Sequence, residues 1–521
     1  MKELKLPAFN EENYFDNQTN SSSRVVLIEN CDGETFEKYK RLFTESGYEI
    51  KEEYSRANHS FAALSCGDGG VFLNYFESVR ELYVITEKNT NYFSYRDGSG
   101  CGSCSAQITQ LYLEDFGMSY TIRLPDGRFI VIDGGRDFEP DRDNLLRCLK
   151  NGSGDGKPII ASWIFTHPHS DHYFCFLGFM ESYADQVEIQ SFMLNFPEAD
   201  DLIHYPALAH KNYRFEDSSG TTNIPRMWRL IEMTGAPVYT AHTGKRYKIG
   251  EAFCEILASM DDTIHRTQNI NAASLVIRME LCGQIILFAT DASFSDARLP
   301  EKYGEYLKAD ILQIPHHGFQ SGTAQAQIEG YDLIRPRVCL LPVSRFNAYT
   351  AFCAHKESTA YLMKQAYVEE IIVGDPEKNI DIPYTPNPYA KAEIDREFKN
   401  GQARSGANTW IFTGLNTSCT EDFDFSFLNM THAEAVVTIE LFFTDKADLI
   451  RSIKAKTPPL SIKNLSIVGD EVDGDYEYFD WLSLKKKGIP ENSEFAVRFT
   501  SDIPIVVSHK LHSAVYRSND V

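Results

Sequence analysis

At 521 residues the chain is longer than one ordinary domain, and usual domain sizes predict about three. An apolar fraction of 43% with 24% charged residues matches folded globular proteins and excludes a disordered or fibrous chain. Lys and Arg number 51 against 74 Asp and Glu, a formal net charge of −23, so nonspecific coating of nucleic acid is disfavoured.

The N-terminus, "MKELKLPAFNEENYFDNQTN", carries no apolar core behind its lysines. Nowhere do about eighteen apolar residues run uninterrupted. The expectation is a soluble, cytoplasmic protein with no membrane association. Eleven cysteines, scattered apart from Cys101 and Cys104 in "GCGSCS", suit a reducing compartment better than a disulfide framework. That single Cys-x-x-Cys lacks the second pair that a structural zinc site needs, and it reads as a Gly-rich connector.

In chain order, "VVLIEN" predicts a strand and "TFEKYKRLFTESGYEI" a helix, with Thr35 as N-cap and Gly47 as its stop. Strands over "SFAALSC", "GVFLNYF" and "RELYVITE" complete a small α+β domain, residues 1–105, whose link is the stretch from Asp97 to Ser105. From Ala106 to Asn416 the pattern is α/β: "ITQLYLED", "SYTIRLP", "RFIVIDGG", a helix near "DRDNLLRCLK", "IIASWIFT", and a helix from His172. Further strands are "AFCEILAS", "ASLVIRMEL", "QIILFATD", "DILQIP", "VCLLPV", "EIIVG" and, last, "NTWIFTG". Residues 417–521, with "AEAVVTIELFF", "EFAVRFT" and "IPIVVS" between polar turns, predict a β-rich C-terminal domain.

"IFTHPHSDH", residues 164–172, places three histidines and an aspartate within six positions behind an apolar strand. His167 and His169 are spaced to converge on one ion, while Asp171 and His172 can turn towards a second. Imidazole with carboxylate suits zinc, manganese or iron. One isolated histidine is by default a surface or core residue; four potential ligands at this density favour metal.

H-x-H-x-D-H behind a strand resembles the metallo-β-lactamase superfamily, and the resemblance covers about Ala106 to Asn416. It implies an αββα sandwich with the two flanking domains added. It also implies that Asp133, in "FIVIDGG", supports the metal histidines from behind; that Asp291, in "QIILFATDAS", bridges two ions; and that His317, in "DILQIPHHG", is the last ligand. Taken together, "NAASLVIRM", "ATDAS", "IPHHG" and "RSGANTWIFTG" look most like the hydrolase domain attached to the bacterial competence DNA-uptake channel and its soluble relatives. No channel segments occur here, so DNA transport does not carry over.

Two departures stand out. The superfamily's third histidine of the first metal site follows the strand matched by "EILAS", but this chain continues "MDDTIHRTQNINAASLV". His265 lies in the right interval, His242 precedes the strand, and Asn271 stands near the place where channel-type relatives lack the histidine. The second departure is "DHYFCFLGF" in place of D-H-x-G-G, where Tyr173, Phe174 and Cys175 read as the first turns of a buried helix. Tyr173 narrowing a pocket mouth, or Cys175 as a ligand, are the functional alternatives. His316 sits beside His317 on an expected extended segment, where neighbours point opposite ways, so it reads as a pocket acid, a substrate contact or a packed residue. Ser321 and Gly322 suit either an anion contact or a turn.

Two zinc ions sharing Asp291 would bring a bridging water towards a neutral pKa, and Asp171 could orient or receive its proton. The expectation is a metal-dependent hydrolase using metal-bound hydroxide on a small phosphodiester or ester, with catalytic roles for Asp171, Asp133 and His316. Its alternatives are an iron-dependent sulfur dioxygenase and a non-catalytic metal-binding scaffold. The flanking regions could cover the pocket or pair two subunits into a homo-oligomer. Long polar segments, Asn195 to Gly235 and Asp375 to Gly406, are candidate lids; Tyr205, Tyr213, Arg214, Arg226 and Arg229 in the first are ligand contacts or scattered surface residues.

Overall fold

A computed structural model describes residues 14–18, 23–67, 69–88, 105–114, 117–154, 156–195, 220–263, 270–343, 358–374, 377–387, 390, 407–416, 421–443, 446–467, 476–479 and 494–513. It is a mixed α/β protein with a β-rich C-terminal region, divided into two compact units. One comprises Met1–Ala348 with Glu357–Pro388, the other Tyr349–Lys356 with Tyr389–Val521.

The N-terminal sheet runs in the order Tyr14–Gln18, Ser23–Glu29, Glu81–Glu87, Gly69–Phe76, His59–Cys66, Glu49–Arg56. The helix Gly33–Glu45 covers one face through Phe36, Tyr39 and Phe43, a helical spacing. Its N-cap is Asp32, not Thr35: the Asp32 carboxylate accepts the Thr35 N–H at 3.1 Å. Sequence patterning missed Glu49–Arg56, "EIKEEYSR", because an edge strand buries little and its charges hide the alternation. That strand nonetheless docks. The Tyr54 hydroxyl donates to the Gly244 carbonyl at 2.8 Å, and Arg56 meets Glu255 at 2.8 Å. Gly244, at φ +86°, allows this close approach, since any Cβ there would collide with Asn74 and Phe61.

Two further sheets pack face to face. The first runs Val238–Thr240, Phe192–Leu194, Ile159–Ile164, Phe129–Asp133, Ser119–Arg123, Ala106–Gln110, Lys378–Ile382. The second runs Arg246–Ile249, Ala252–Ala258, Val276–Leu281, Gln284–Phe288, Ile311–Gln313, Val338–Leu341, Glu370–Val373. Strand alternation builds the core between them: Ile130, Ile132 and Ile164 from the first sheet meet Ile256, Ile277, Met279, Ile286 and Phe288 from the second. The intervening Phe129, Val131 and Trp163 face outward onto the helices Glu139–Ser153, Ser170–Tyr183 and Gly220–Thr234. That last helix lies inside a segment read as a polar lid; Ile224, Met227 and Ile231 seat it in the core, and Arg226 pairs with Glu181 at 2.8 Å.

In the C-terminal unit the order is Lys446–Thr457, Ala435–Phe443, Glu494–Ser513, Glu421–Asn429, Ser461–Ile467, Tyr476–Phe479. "EFAVRFT" and "IPIVVS" belong to one strand, Glu494–Ser513, and Pro504 lies where its partner changes from Ala435–Phe443 to Glu421–Asn429. The strand Ala407–Asn416, expected to end the middle domain, pairs instead with Glu494–Ser513. Its apolar alternation satisfies either sheet, so sequence alone could not choose. Among the described residues no helix is long and apolar enough to cross a membrane.

Candidate metal centre

Parallel neighbours end on the same side of a sheet, and this gathers the candidate ligands. Phe129–Asp133 and Ile159–Ile164 are parallel, with Ile132 opposite Ile164, so Asp133 and the loop Thr166–His169 emerge together. Gln284–Phe288 and Ile311–Gln313 are likewise parallel, with Phe288 opposite Gln313, and they deliver Asp291 and the Pro315–Gly318 turn. The Leu275 N–H donates to the Thr166 carbonyl at 3.0 Å and ties the two edges. The helix begins at Ser170 with His169 as N-cap, so Asp171 and His172 fall in its first turn. Gly117 backs them; a Cβ there would stand 2.8 Å from the Asp171 carbonyl oxygen.

Asp291 Oδ2 is the focus. Imidazole Nε2 atoms lie around it at 3.3 Å (His172), 3.5 Å (His317), 3.7 Å (His167) and 4.0 Å (His316). His317 Nε2 is also 3.3 Å from Asp171 Oδ2, and His167 Nε2 is 3.1 Å from His169 Nδ1. Two groups could each hold a cation: His167 with His172 and Asp291, and Asp171 with His172 and His317. His169 touches the first group through His167.

Asp133 holds the cluster from behind. It is fully buried and accepts the Thr166 N–H at 2.8 Å, the Thr166 hydroxyl at 2.6 Å and the His172 Nδ1–H at 2.7 Å. Thr166 was not foreseen. Its signal was its position, a hydroxyl residue directly ahead of the first histidine at a strand end. Four backbones of the centre sit at positive φ: Asp133 at 55°, Thr290 at 50°, His316 at 51° and His317 at 53°. For residues with a Cβ each costs about 1–3 kcal/mol and persists where the surroundings enforce it, characteristically at functional sites. The His-His segment is therefore a left-handed turn, not an extended strand end, and both rings reach the same carboxylate.

Burial lowers the His167 pKa well below the ordinary value, with His172 adding to the effect, which leaves a neutral imidazole suited to ligation. Burial also opposes charge on His172 and His317, but Asp291 outweighs it, helped by Asp133 at His172 and Asp171 at His317. The first is raised well above its usual range and the second to about 9. Burial likewise opposes ionised Asp171 and Asp291, yet the histidines hold both well below the usual carboxylate range. The pocket is thus built around negative carboxylates that favour positive charge. Asp291 Oδ1, buried, has no hydrogen-bond partner among the described residues. Buried charges of this kind are paired or ligate metals, so the donor set fits one or two cations.

Other candidates fall elsewhere. His242 is buried between Glu87 and Asp261, at 2.9 and 2.8 Å. Tyr173 and Cys175 are core residues of the outer helical layer, and burial raises the Cys175 thiol well above its normal range. The Ser321 hydroxyl donates to the Asp291 carbonyl at 3.0 Å, a supporting contact. His265, Cys101, Cys104, Tyr205, Tyr213 and Arg214 lie outside the described residues.

No protein-family model and no curated protein matches the chain. Among solved structures, Igni18, a metallo hydrolase from the hyperthermophilic archaeon Ignicoccus hospitalis, is similar over 54% of this chain and 100% of its own, at 12% identity and a TM-score of 0.31. The Anabaena sensory rhodopsin transducer covers 20% of this chain and 88% of its own, at 20% identity and a TM-score of 0.15. Thermotoga maritima 1070 covers 21% and 90%, at 16% identity and a TM-score of 0.15. Similarity this remote carries no functional assignment.

Proposed function

We propose that the chain is a metal-dependent hydrolase on a metallo-β-lactamase-like αββα sandwich, acting on a small phosphodiester or ester. In this reading the catalytic domain begins at Ala106 and ends before the strand Ala407–Asn416, which pairs within the C-terminal sheet, and residues 1–105 flank it on the other side. The observation that carries it is the convergence of four imidazole nitrogens on one buried carboxylate oxygen, Asp291 Oδ2, within 4.0 Å. His167, His169, Asp171, His172, Asp291 and His317 would hold a pair of ions, zinc by preference, with manganese or iron as substitutes. Bound there, such ions supply Lewis acidity and water of lowered pKa.

The chain's own residues do the rest. Asp133 fixes the His172 ring through Nδ1, so that Nε2 faces inward. Asp171, on the first helical turn, would orient or receive the proton where it is not fully committed as a ligand. A net charge of −23 favours a small substrate over long nucleic acid, and cations in the pocket would reverse the field locally.

The test is metal content per chain, by inductively coupled plasma mass spectrometry, of protein purified without added metal, beside Asp291→Ala. We expect about two equivalents of zinc or manganese, lowered in the variant, and chelator-sensitive hydrolysis of bis(p-nitrophenyl) phosphate or p-nitrophenyl acetate. Iron with no hydrolysis would favour sulfur dioxygenation. A protein that takes up no metal would be a scaffold, and the reading would fall.

A further inference from the structure

Two ions cannot be filled from the two groups as they stand. His172 belongs to both, and one imidazole Nε2 has one lone pair to give. If His172 joins Asp171 and His317, the other ion keeps His167, its neighbour His169 and a share of Asp291. Among the described residues it then has two imidazoles of its own. We infer that His316 supplies a third.

This inference rests on the proposed metal centre, and three observations on His316 carry it. Its Nε2 lies 4.0 Å from Asp291 Oδ2, in the same shell as the Nε2 atoms of His172, His317 and His167. Its Nδ1 is turned to the Gln320 carbonyl at 3.3 Å, as His172 Nδ1 is to Asp133 and His167 Nδ1 to Thr166 Oγ1. A ligating histidine characteristically donates its second ring N–H to a protein oxygen in this manner, which fixes the tautomer and leaves Nε2 as the lone pair. The Asn271 amide, 3.0 Å from His316 Nε2, donates to that lone pair, so this nitrogen already acts as an acceptor.

The third observation is the backbone. His316 and His317 both occupy the left-handed region, at φ/ψ of 51°/48° and 53°/22°. The His316 N–H bonds to the Thr290 carbonyl at 2.7 Å, and the His316 carbonyl accepts the Phe319 N–H at 2.7 Å. An extended segment would send one of the two rings away from Asp291; the strained turn brings both to it. A pocket acid would need an N–H aimed at substrate, but the His316 N–H is spent on Gln320. With its side chain 27% exposed, His316 stands at the open side of the cluster, where an ion can enter.

Metal-free wild type, His316→Ala, His265→Ala and Asn271→Ala would be titrated with zinc against a chromophoric chelator, with circular dichroism confirming the fold. We expect wild type to take up two equivalents. His316→Ala should hold one tightly and bind the other more weakly than the roughly 10–100-fold loss that removing an outer-sphere partner brings. Asn271→Ala removes a competitor for the lone pair and should keep both, as should His265→Ala. With cobalt in place of zinc, His316→Ala should alter the visible band of one ion only. The inference is overturned if His316→Ala keeps both equivalents at wild-type affinity, or if His265→Ala loses one instead. A wild type that binds two ions while His316→Ala does too refutes this inference alone, whereas a wild type that binds none refutes the hydrolase reading with it.

Discussion

Two buried histidine clusters in the same compact unit are built on opposite plans. In one, His242 stands alone between two carboxylates, Nε2 2.9 Å from Glu87 and Nδ1 2.8 Å from Asp261. Both nitrogens must donate, so the ring is an imidazolium and has no lone pair to offer. In the other, His167, His172, His316 and His317 turn Nε2 towards one carboxylate oxygen. Burial and nearby acids are common to both. What separates the two is convergence: His242 divides its nitrogens between two carboxylates, whereas four rings of the other cluster share one oxygen.

Breaking the His242 bridge should have the largest effect on stability and none on metal. Glu87 comes from the N-terminal sheet and Asp261 from the helix Met260–Thr263, and His242→Ala leaves both buried without their shared counter-charge. The loss should be about 3–5 kcal/mol, read by urea unfolding, with metal content per folded chain unchanged. A variant that loses metal would erase the distinction between the clusters.

The pH dependence gives the same contrast a sign. Burial opposes charge on His242, but Asp261 and Glu87 raise it from 6.5 to about 9. A raised histidine contributes stability that is fully present below the unfolded pKa and is lost as pH rises through the folded one. Wild type should therefore exceed His242→Ala most near pH 6 and lose the advantage between about pH 6.5 and 9. Lys245, lowered by burial to about 7, titrates in the opposite sense but is present in both proteins. An advantage that grows above pH 9 would refute the imidazolium bridge.

Next in size is the support behind the candidate ligands. Asp133→Asn keeps the shape and tolerates positive φ, since asparagine enters that region more readily than most residues. It removes the charge that holds His172 Nδ1–H and the Thr166 donors. Zinc affinity by chelator competition should fall about 10–100-fold, with the fold intact. Unchanged affinity would mean that Thr166 and packing alone orient the ring.

Much of the histidine–aspartate cluster was legible in sequence because each part ends a strand. "FIVIDGG", "IFTHPHSDH", "FATDAS" and "IPHHG" all show an apolar run stopping at a polar residue, and parallel neighbours then gather those ends. The His-His turn was not legible, because nothing in "IPHHG" announces two consecutive left-handed residues that carry side chains. Nor was the His242 bridge: its partners are 155 and 19 residues away, joined only by tertiary packing. "NTWIFTG" shows the same limit, since a strand's pattern says that it pairs but not with which sheet.

The smallest expected effect lies at the edge of the His242 bridge. Ser23 and Glu87 are cross-strand partners in the N-terminal sheet, and the Ser23 hydroxyl donates to the same Glu87 oxygen that His242 meets. Ser23→Ala removes one donor from a carboxylate that keeps its imidazolium, so the loss should be about 1 kcal/mol, within the range for a single hydrogen bond. A loss approaching that of His242→Ala would mean that the sheet's own hydroxyl aims Glu87 and that the bridge forms only when it does. No loss at all would mean that His242 and Asp261 orient the carboxylate unaided, and that the sheet is held to its neighbour chiefly by contacts such as Arg298 with Glu81, 2.7 Å apart, and Tyr54 with Gly244.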